Sequence, residues 1–400
     1  MKLAKLSLAT LIALGAVSAA SATPLEEAIK NVDLSGFARY RYTNLKKTDN
    51  HGGNHQFKMI TNFKAAYDDN FYGVLGLRYV SNDGSGNVND TTDTTSTFKV
   101  HQFYLGYKAG NTDVRLGKQQ ISSFVTDDLV GTGALVTNSD IEGLTLAAFA
   151  FDALENPIGN GENDGALWDI MRAGGSMADY GNLYGVAAIG SYDPIAFQLW
   201  YADATRLTRI FALEVSGNVA VSDDLGFNAK VQYAHSAPHS EAKDNGFAKT
   251  DFYGVELGSE FFGAEVNLGY FGWNVKKAKN GADGMGVVSL EDQGSFLDVG
   301  EQLVDYANDY TLLNGKGNFF YATAGYTFDE KYFAGVDAVT GKVKDRDGNK
   351  TKYNEYVGRL GYEYSKKLKF SSYYSYIKIK PEGDRKESSK KIRFEAKYTF

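Results

Sequence analysis

The side chains with most to offer chemically are charged ones. Arg39, Arg41, Lys58, Lys64, Arg78 and Arg115 recur at alternating positions of apolar stretches, and Asp127, Asp128, Asp152, Glu155, Glu291 and Asp292 stand beside the longer polar segments. Nothing in their spacing forms an enzyme signature. The five histidines (His51, His55, His101, His235, His239) are scattered. His235 and His239 have helical spacing, but Pro238 lies between them, so no helix presents that pair to a metal. Gly84-Ser85-Gly86 lacks a following helix and a Lys-Ser/Thr, so it is not a phosphate cradle. No Ser/His/acid set has convincing spacing for an outer-face lipase. What remains is the electrostatics of a passage. A basic wall facing acidic loop bases makes a transverse field that orients dipolar solutes and sets ion preference.

Such a field needs elements that hold charges on one face only. The end of the chain shows them most plainly. In 391–400, Ile392, Phe394, Ala396, Tyr398 and Phe400 alternate with Arg393, Glu395, Lys397 and Thr399, as in a strand with one apolar and one charged face. The same pattern runs through the chain. Residues 56–67 oppose Phe57, Met59, Phe63, Ala65 and Tyr67 to Lys58, Asn62 and Lys64. Residues 353–364 oppose Tyr356, Leu360, Tyr362 and Tyr364 to Glu355, Arg359 and Glu363. Strands are predicted at 32–43, 56–67, 71–80, 98–108, 113–119, 132–137, 143–151, 182–191, 195–203, 207–217, 226–235, 250–261, 264–273, 317–328, 331–342, 353–364, 367–380 and 390–400. Most are of the length needed to cross a bilayer at a tilt.

The connections alternate long and short. Long ones are predicted around 46–55, 81–97, 152–181 and 275–316, and short ones at 68–70, 138–140, 192–194, 262–263, 329–330 and 365–366. Short turns at one end and long loops at the other characterise a barrel whose two rims meet different compartments. An even strand count brings both termini to the short-turn end, where first and last strands pair and remove the exposed edges. A charged inner face on strand after strand predicts a wet interior. A sandwich would share an apolar one, and a blade-length repeat for a propeller is absent.

Composition agrees. The chain has 400 residues, no Cys, 5 Pro, 44 Gly, and 27 Tyr against 3 Trp. Mean hydropathy is -0.34 and no mature apolar run is long enough for a membrane helix. A tyrosine excess suits two interfacial aromatic girdles. Residues 1–22 read as a secretory signal peptide: Lys2 and Lys5 precede an apolar run over 6–17, then Ala20-Ser21-Ala22 before Thr23. Residues 23–400 then form a single barrel domain. Removing two lysines takes the formal charge of -7 to about -9.

Several stretches, read in order, carry a family resemblance: TPLEEAIKNVDLSG at 23–36, GKQQ at 117–120, LVGTG at 129–133, GLTLAAFAFD at 143–152, GNLYG at 181–185, EDQG at 291–294, and the terminal Phe400. Together they resemble the Campylobacter-type major outer-membrane proteins, from signal peptide to last strand, with divergence in the long loops. The resemblance implies an 18-strand, trimeric, cation-preferring general porin. It also implies a calcium ion in the channel, for which the matching acidic positions are Asp127, Asp152 and Glu291. Calcium takes six to eight oxygens, often carboxylates from separate loops. Gly36 and Ala38 on the apolar face offer close packing between barrels.

The reading is an all-β transmembrane antiparallel barrel in the bacterial outer membrane, not an enzyme. It passes ions and small hydrophilic solutes by diffusion, is surrounded by lipid and lipopolysaccharide, and has no nucleic-acid role. A substrate-selective channel is the alternative, with Tyr72, Phe149, Phe151 and Phe211 as part of a lumenal aromatic run. A surface adhesin that meets host molecules through the loops at 152–181 and 275–316 is the other.

Overall fold

Strands whose two faces differ this sharply must separate two solvents, and the chain does so by closing on itself. The computed structural model describes residues 32–47, 51–87, 90–155, 182–222, 224–279, 281, 284–345 and 347–400. The leader expected at 1–22, the segment 23–31 and most of the loop expected at 152–181 lie outside them.

Eighteen strands form one antiparallel sheet. In chain order they are β1 (Asp33–Lys47), β2 (His51–Ala66), β3 (Phe71–Ser85), β4 (Lys99–Ala109), β5 (Thr112–Gln120), β6 (Val130–Asn138), β7 (Leu144–Leu154), β8 (Leu183–Tyr192), β9 (Ile195–Ala204), β10 (Thr208–Ser222), β11 (Leu225–Pro238), β12 (Thr250–Phe261), β13 (Ala264–Val275), β14 (Lys316–Phe328), β15 (Tyr332–Lys344), β16 (Lys350–Glu363), β17 (Leu368–Lys380) and β18 (Glu387–Thr399). Each pairs with its chain neighbour. β18 pairs with β1 from Phe37 opposite Thr399 to Lys47 opposite Ser389, and Gly36 and Phe400 exchange two backbone hydrogen bonds of 3.1 Å at the seam. Closure leaves no unpaired edge for lipid to meet. A five-residue helix (Ser240–Asp244) lies in a loop, and no helix among the described residues is long and apolar enough to cross a membrane.

The outward face is apolar to a degree water would not tolerate. Leu105 is 69% exposed, Leu360 64%, Phe320 61% and Val336 60%. Aromatics gather at the two rims. At the short-turn rim, Phe71 meets Tyr107 (4.7 Å between ring centroids), Tyr332 stacks on Tyr362 (5.0 Å) and Tyr362 on Phe370 (6.1 Å). Toward the long-loop rim, Tyr270 lies between Tyr253 and Phe320. Phe211 is 37% exposed on this outer surface, opposite Tyr201, so it is not part of a lumenal run. Phe149 and Phe151 are buried inside.

Two further expectations change. The first connection is not a long loop, because β1 and β2 stay paired to Lys46 opposite His51. Cross-strand contacts hold this extension: the Tyr42 ring is 4.9 Å from His55, and Tyr40 Oη is 2.9 Å from His55 Nδ1. The interior is also not wet throughout. The 276–315 loop folds inward and buries Val288, Leu303, Tyr310 and Leu313 against Phe252, Phe271, Trp273 and Phe319 of the wall. The inward face of β7 to β14 is therefore apolar over much of its length, and the lumen beside it holds a packed core.

Candidate functional site: the lumen and its inward loop

Strand register sets the basic wall. Arg39 lies opposite Lys58 on β2 and Lys397 on β18, and Arg41 opposite Gln56 and Glu395. These positions share the inward face because Phe57, Phe394 and Tyr398, one residue away, are exposed outside. The six bases named from the sequence fall into two groups. Arg39, Arg41, Lys58 and Arg78 stand near mid-height. Lys64 and Arg115 sit nearer the short-turn rim, where Lys64 covers the Tyr72 ring (4.5 Å) and Arg115 pairs with Asp113 (2.7 Å). Tyr72 donates its hydroxyl to the same Asp113 (2.7 Å).

The acids do not simply face these bases across a gap. Asp128 reaches Lys58 (3.1 Å), and Glu155 reaches Arg78 (2.6 Å). The 121–129 loop, which carries Asp127 and Asp128, is pressed inward with Ile121, Phe124 and Val125 buried. Glu291 arrives from the inward loop. Its Oε2 accepts the backbone N–H groups of Asp127 (2.9 Å) and Leu129 (2.6 Å). Asp292, its neighbour, adopts a left-handed backbone (φ 43°). Asp152 is exposed at a break in the β6–β7 register.

Calcium needs several converging oxygens. Among the described residues no three His, Asp or Glu side chains gather in a metal-ligating group. Asp127 and Glu291 approach each other through a backbone N–H, and Asp152 is not brought to them. As arranged, these residues do not fit the ion, and no step is derived through it.

The sequence reading missed the second half of the charge network. Arg393 and Arg359 flank the Tyr373 ring, 5.2 and 5.9 Å from its centroid. Arg359 pairs with Asp337 and with Glu301 of the inward loop. Lys391 holds the Glu301 carbonyl (2.9 Å) and Asp305 (3.3 Å). Glu395 joins Arg41 (2.7 Å). The signal available was the charged face of 353–364 and 391–400, but only the folded loop shows what those faces touch. His235 lies on β11. It pairs with Asp251 (2.7 Å), while His239 pairs with Asp203 (2.7 Å).

Burial pushes the Glu291 carboxyl up to about 9, with the nearby Asp128 charge adding to it, although two backbone donors act the other way. Burial would raise Asp128 as well, but Lys58 outweighs it and holds that group below the ordinary carboxylate value. Glu291 is therefore expected to keep its proton at neutral pH. A group whose folded value is raised contributes stability below its ordinary value near 4.5, and loses it as pH rises through about 9. Loop docking should weaken over that window, and a negative charge should appear at the loop contact. The expected result is a reversal potential that moves toward cations between pH 7 and 10 in the native protein. Glu291→Gln, which keeps the acceptor oxygen and stays neutral, should abolish the movement. An identical titration in the variant would assign it to another group.

An apolar belt against lipid outside and charged side chains inside define the class: this is an outer-membrane β-barrel porin. The chain belongs to the Campylobacter major outer membrane protein family, which matches residues 1–400. No match was found among curated proteins. Among solved structures, OccAB3 of Acinetobacter baumannii is similar with a TM-score of 0.73 at 13% identity, covering 93% of this chain and 99% of that one. OpdK of Pseudomonas aeruginosa, solved with vanillate, gives 0.72 at 12%, with the same coverage of 93% and 99%. OpdL of Pseudomonas aeruginosa gives 0.70 at 15%, again over 93% and 99%. At such identities the likeness is one of fold.

Proposed function

We propose that this porin passes ions and small hydrophilic solutes by passive diffusion, and that it prefers cations. The supporting observation is the 276–315 loop, docked inside the barrel against Phe252, Phe271, Trp273 and Phe319; on this reading the open path lies on the side of β1 to β5. Loop carboxylates (Asp127, Asp128, Asp292, Asp305) and the basic wall line that path together, Asp128 paired with Lys58 and Asp305 with Lys391. The formal charge, -7 for the whole chain and about -9 without Lys2 and Lys5, favours cations at the mouths. Export uses residues 1–22 as a cleaved leader. The barrel works as a homotrimer among lipid and lipopolysaccharide, with the apolar outer face of the first strands, Gly36 and Ala38 included, packed between copies.

Planar-bilayer recording under a salt gradient tests this. Stepwise insertions with a cation-favouring reversal potential are expected, and current linear in solute concentration. An absence of conductance from correctly folded barrels would remove the porin reading for the isolated protein.

The second reading is a channel selective for anionic solutes. It is favoured by the count of bases on the open wall, where Arg39 and Arg41 share one carboxylate, Glu395. The fold relative OpdK was solved with vanillate. Saturating permeation of such a solute, with anion-favouring reversal, would replace the first reading by this one.

A further inference from the structure

The inward loop is tied to the wall by a group that pore formation does not require. Glu355, on β16, is fully buried. Its Oε1 accepts the backbone N–H groups of Glu301 (2.7 Å) and Gln302 (2.9 Å) and the Ser375 hydroxyl (2.7 Å), and its Oε2 accepts Leu303 N–H (3.0 Å). Ser375 in turn accepts Gln302 Nε2 (2.7 Å). Four donors converge on one carboxylate, three of them consecutive amides of the loop. A carboxylate is the one side-chain group that offers acceptors alone in this number. The backbone has adapted to it. Gly300 sits at φ 98°, and a Cβ there would collide with the Glu355 carboxylate. On either side the loop is held by contacts that are easier to exchange with water: Arg359 to Glu301, and Lys391 to Asp305.

We infer that Glu355 is the positioning residue that holds the 276–315 loop against β16 and β17 through residues 301–303 and so sets the cross-section of the open path. The inference rests on the reading of this loop as the constriction. Three loop amides would lose their acceptor if the carboxylate were removed, and water would enter to satisfy them. The loop segment around 300–305 would then leave the wall for part of the time, and the path would fluctuate instead of holding one width. Barrel strands would not notice, because Glu355 keeps its place in the β15–β16–β17 ladder through backbone bonds.

Single-channel recording of Glu355→Gln and Gly300→Ala tests this, with heat-modifiable migration as the check on the folded barrel. The first substitution turns an amide donor toward donors. The second leaves the charge intact but displaces it with the added methyl group. Both variants should show mean conductance raised by roughly twofold, open-channel flicker, and a size limit for sugars above that measured for the native channel. Folded variants with native conductance, noise and size limit would overturn the inference. A third measurement leaves both Glu355 and Gly300 in place. The chain has no cysteine, so Asp305→Cys with Lys391→Cys, a flanking loop–wall contact outside the Glu355 cluster, can be bridged by a short thiol linker and compared with the same pair unbridged. If the loop is already fixed, bridging leaves mean current and noise unchanged. If bridging quiets or narrows the channel, the native loop was not held and the inference fails. A native protein that conducts nothing would instead sink the diffusion reading, and the two failures are told apart by this control.

Discussion

Replacing Phe296 with alanine is expected to cost about 3–5 kcal/mol of loop docking, the usual loss when a buried aromatic leaves a cavity. Phe296 is where three parts of the chain meet. Its ring makes edge contacts with Phe124 of the 121–129 loop (4.9 Å), Phe252 of β12 (4.8 Å) and Tyr310 of its own loop (5.6 Å). The neighbours cannot close over the gap. Phe252 is fixed in a ladder, and Tyr310 is tethered by its hydroxyl to the Leu297 carbonyl (2.6 Å). The barrel itself should persist, because its strands are held by backbone pairing that Phe296 does not join. The variant should therefore migrate as a folded barrel, yet open its inward loop to protease and lose a low-temperature step from its melting curve. An unchanged proteolysis pattern would mean that the loop is held mainly by polar anchors such as Glu355 and Gln232, whose amide accepts Leu297 N–H (2.7 Å) and donates to the Ser295 carbonyl (2.9 Å).

The second large effect concerns charge. In the combined variant Arg39→Gln, Arg41→Gln, Lys58→Gln, three positive charges leave the open wall, and the acids they held remain. Glu395 loses Arg41 (2.7 Å) and Asp128 loses Lys58 (3.1 Å). A unit charge about 4 Å from an ion is worth ~1 kcal/mol in a water-like medium, about a fivefold change in partition. Even with partial cancellation, the cation-to-anion permeability ratio should rise by about an order of magnitude at low salt. The shift should shrink toward about 1 M salt, where screening acts within roughly 3 Å. Reversal potentials at two ionic strengths measure both parts. A ratio that does not move would place the ion path away from β1 and β2, against the confinement proposed for it.

Much of this architecture was legible because it is written locally. A period of two needs only the next residue, so the strands, their even number, the alternation of turns and loops, and closure by the last ten residues could be read from residue order. So could the inward placement of Arg39, Lys58, Glu355 and Arg359, since each follows from an apolar neighbour that must face lipid. What could not be read was any contact whose partners lie far apart and whose approach depends on a loop. Asp127 and Glu291 are 164 residues apart, and only the inward fold of 276–315 brings that backbone N–H to that carboxylate. The same fold put Phe149 and Phe151 into a dry core instead of a lumenal run, and set Asp128 and Glu155 against bases rather than opposite them. Alternation tells a side chain which way to point. Whether it then meets water, a counter-charge or a buried ring is decided by chain that returns from elsewhere, and that is a property of the tertiary structure alone.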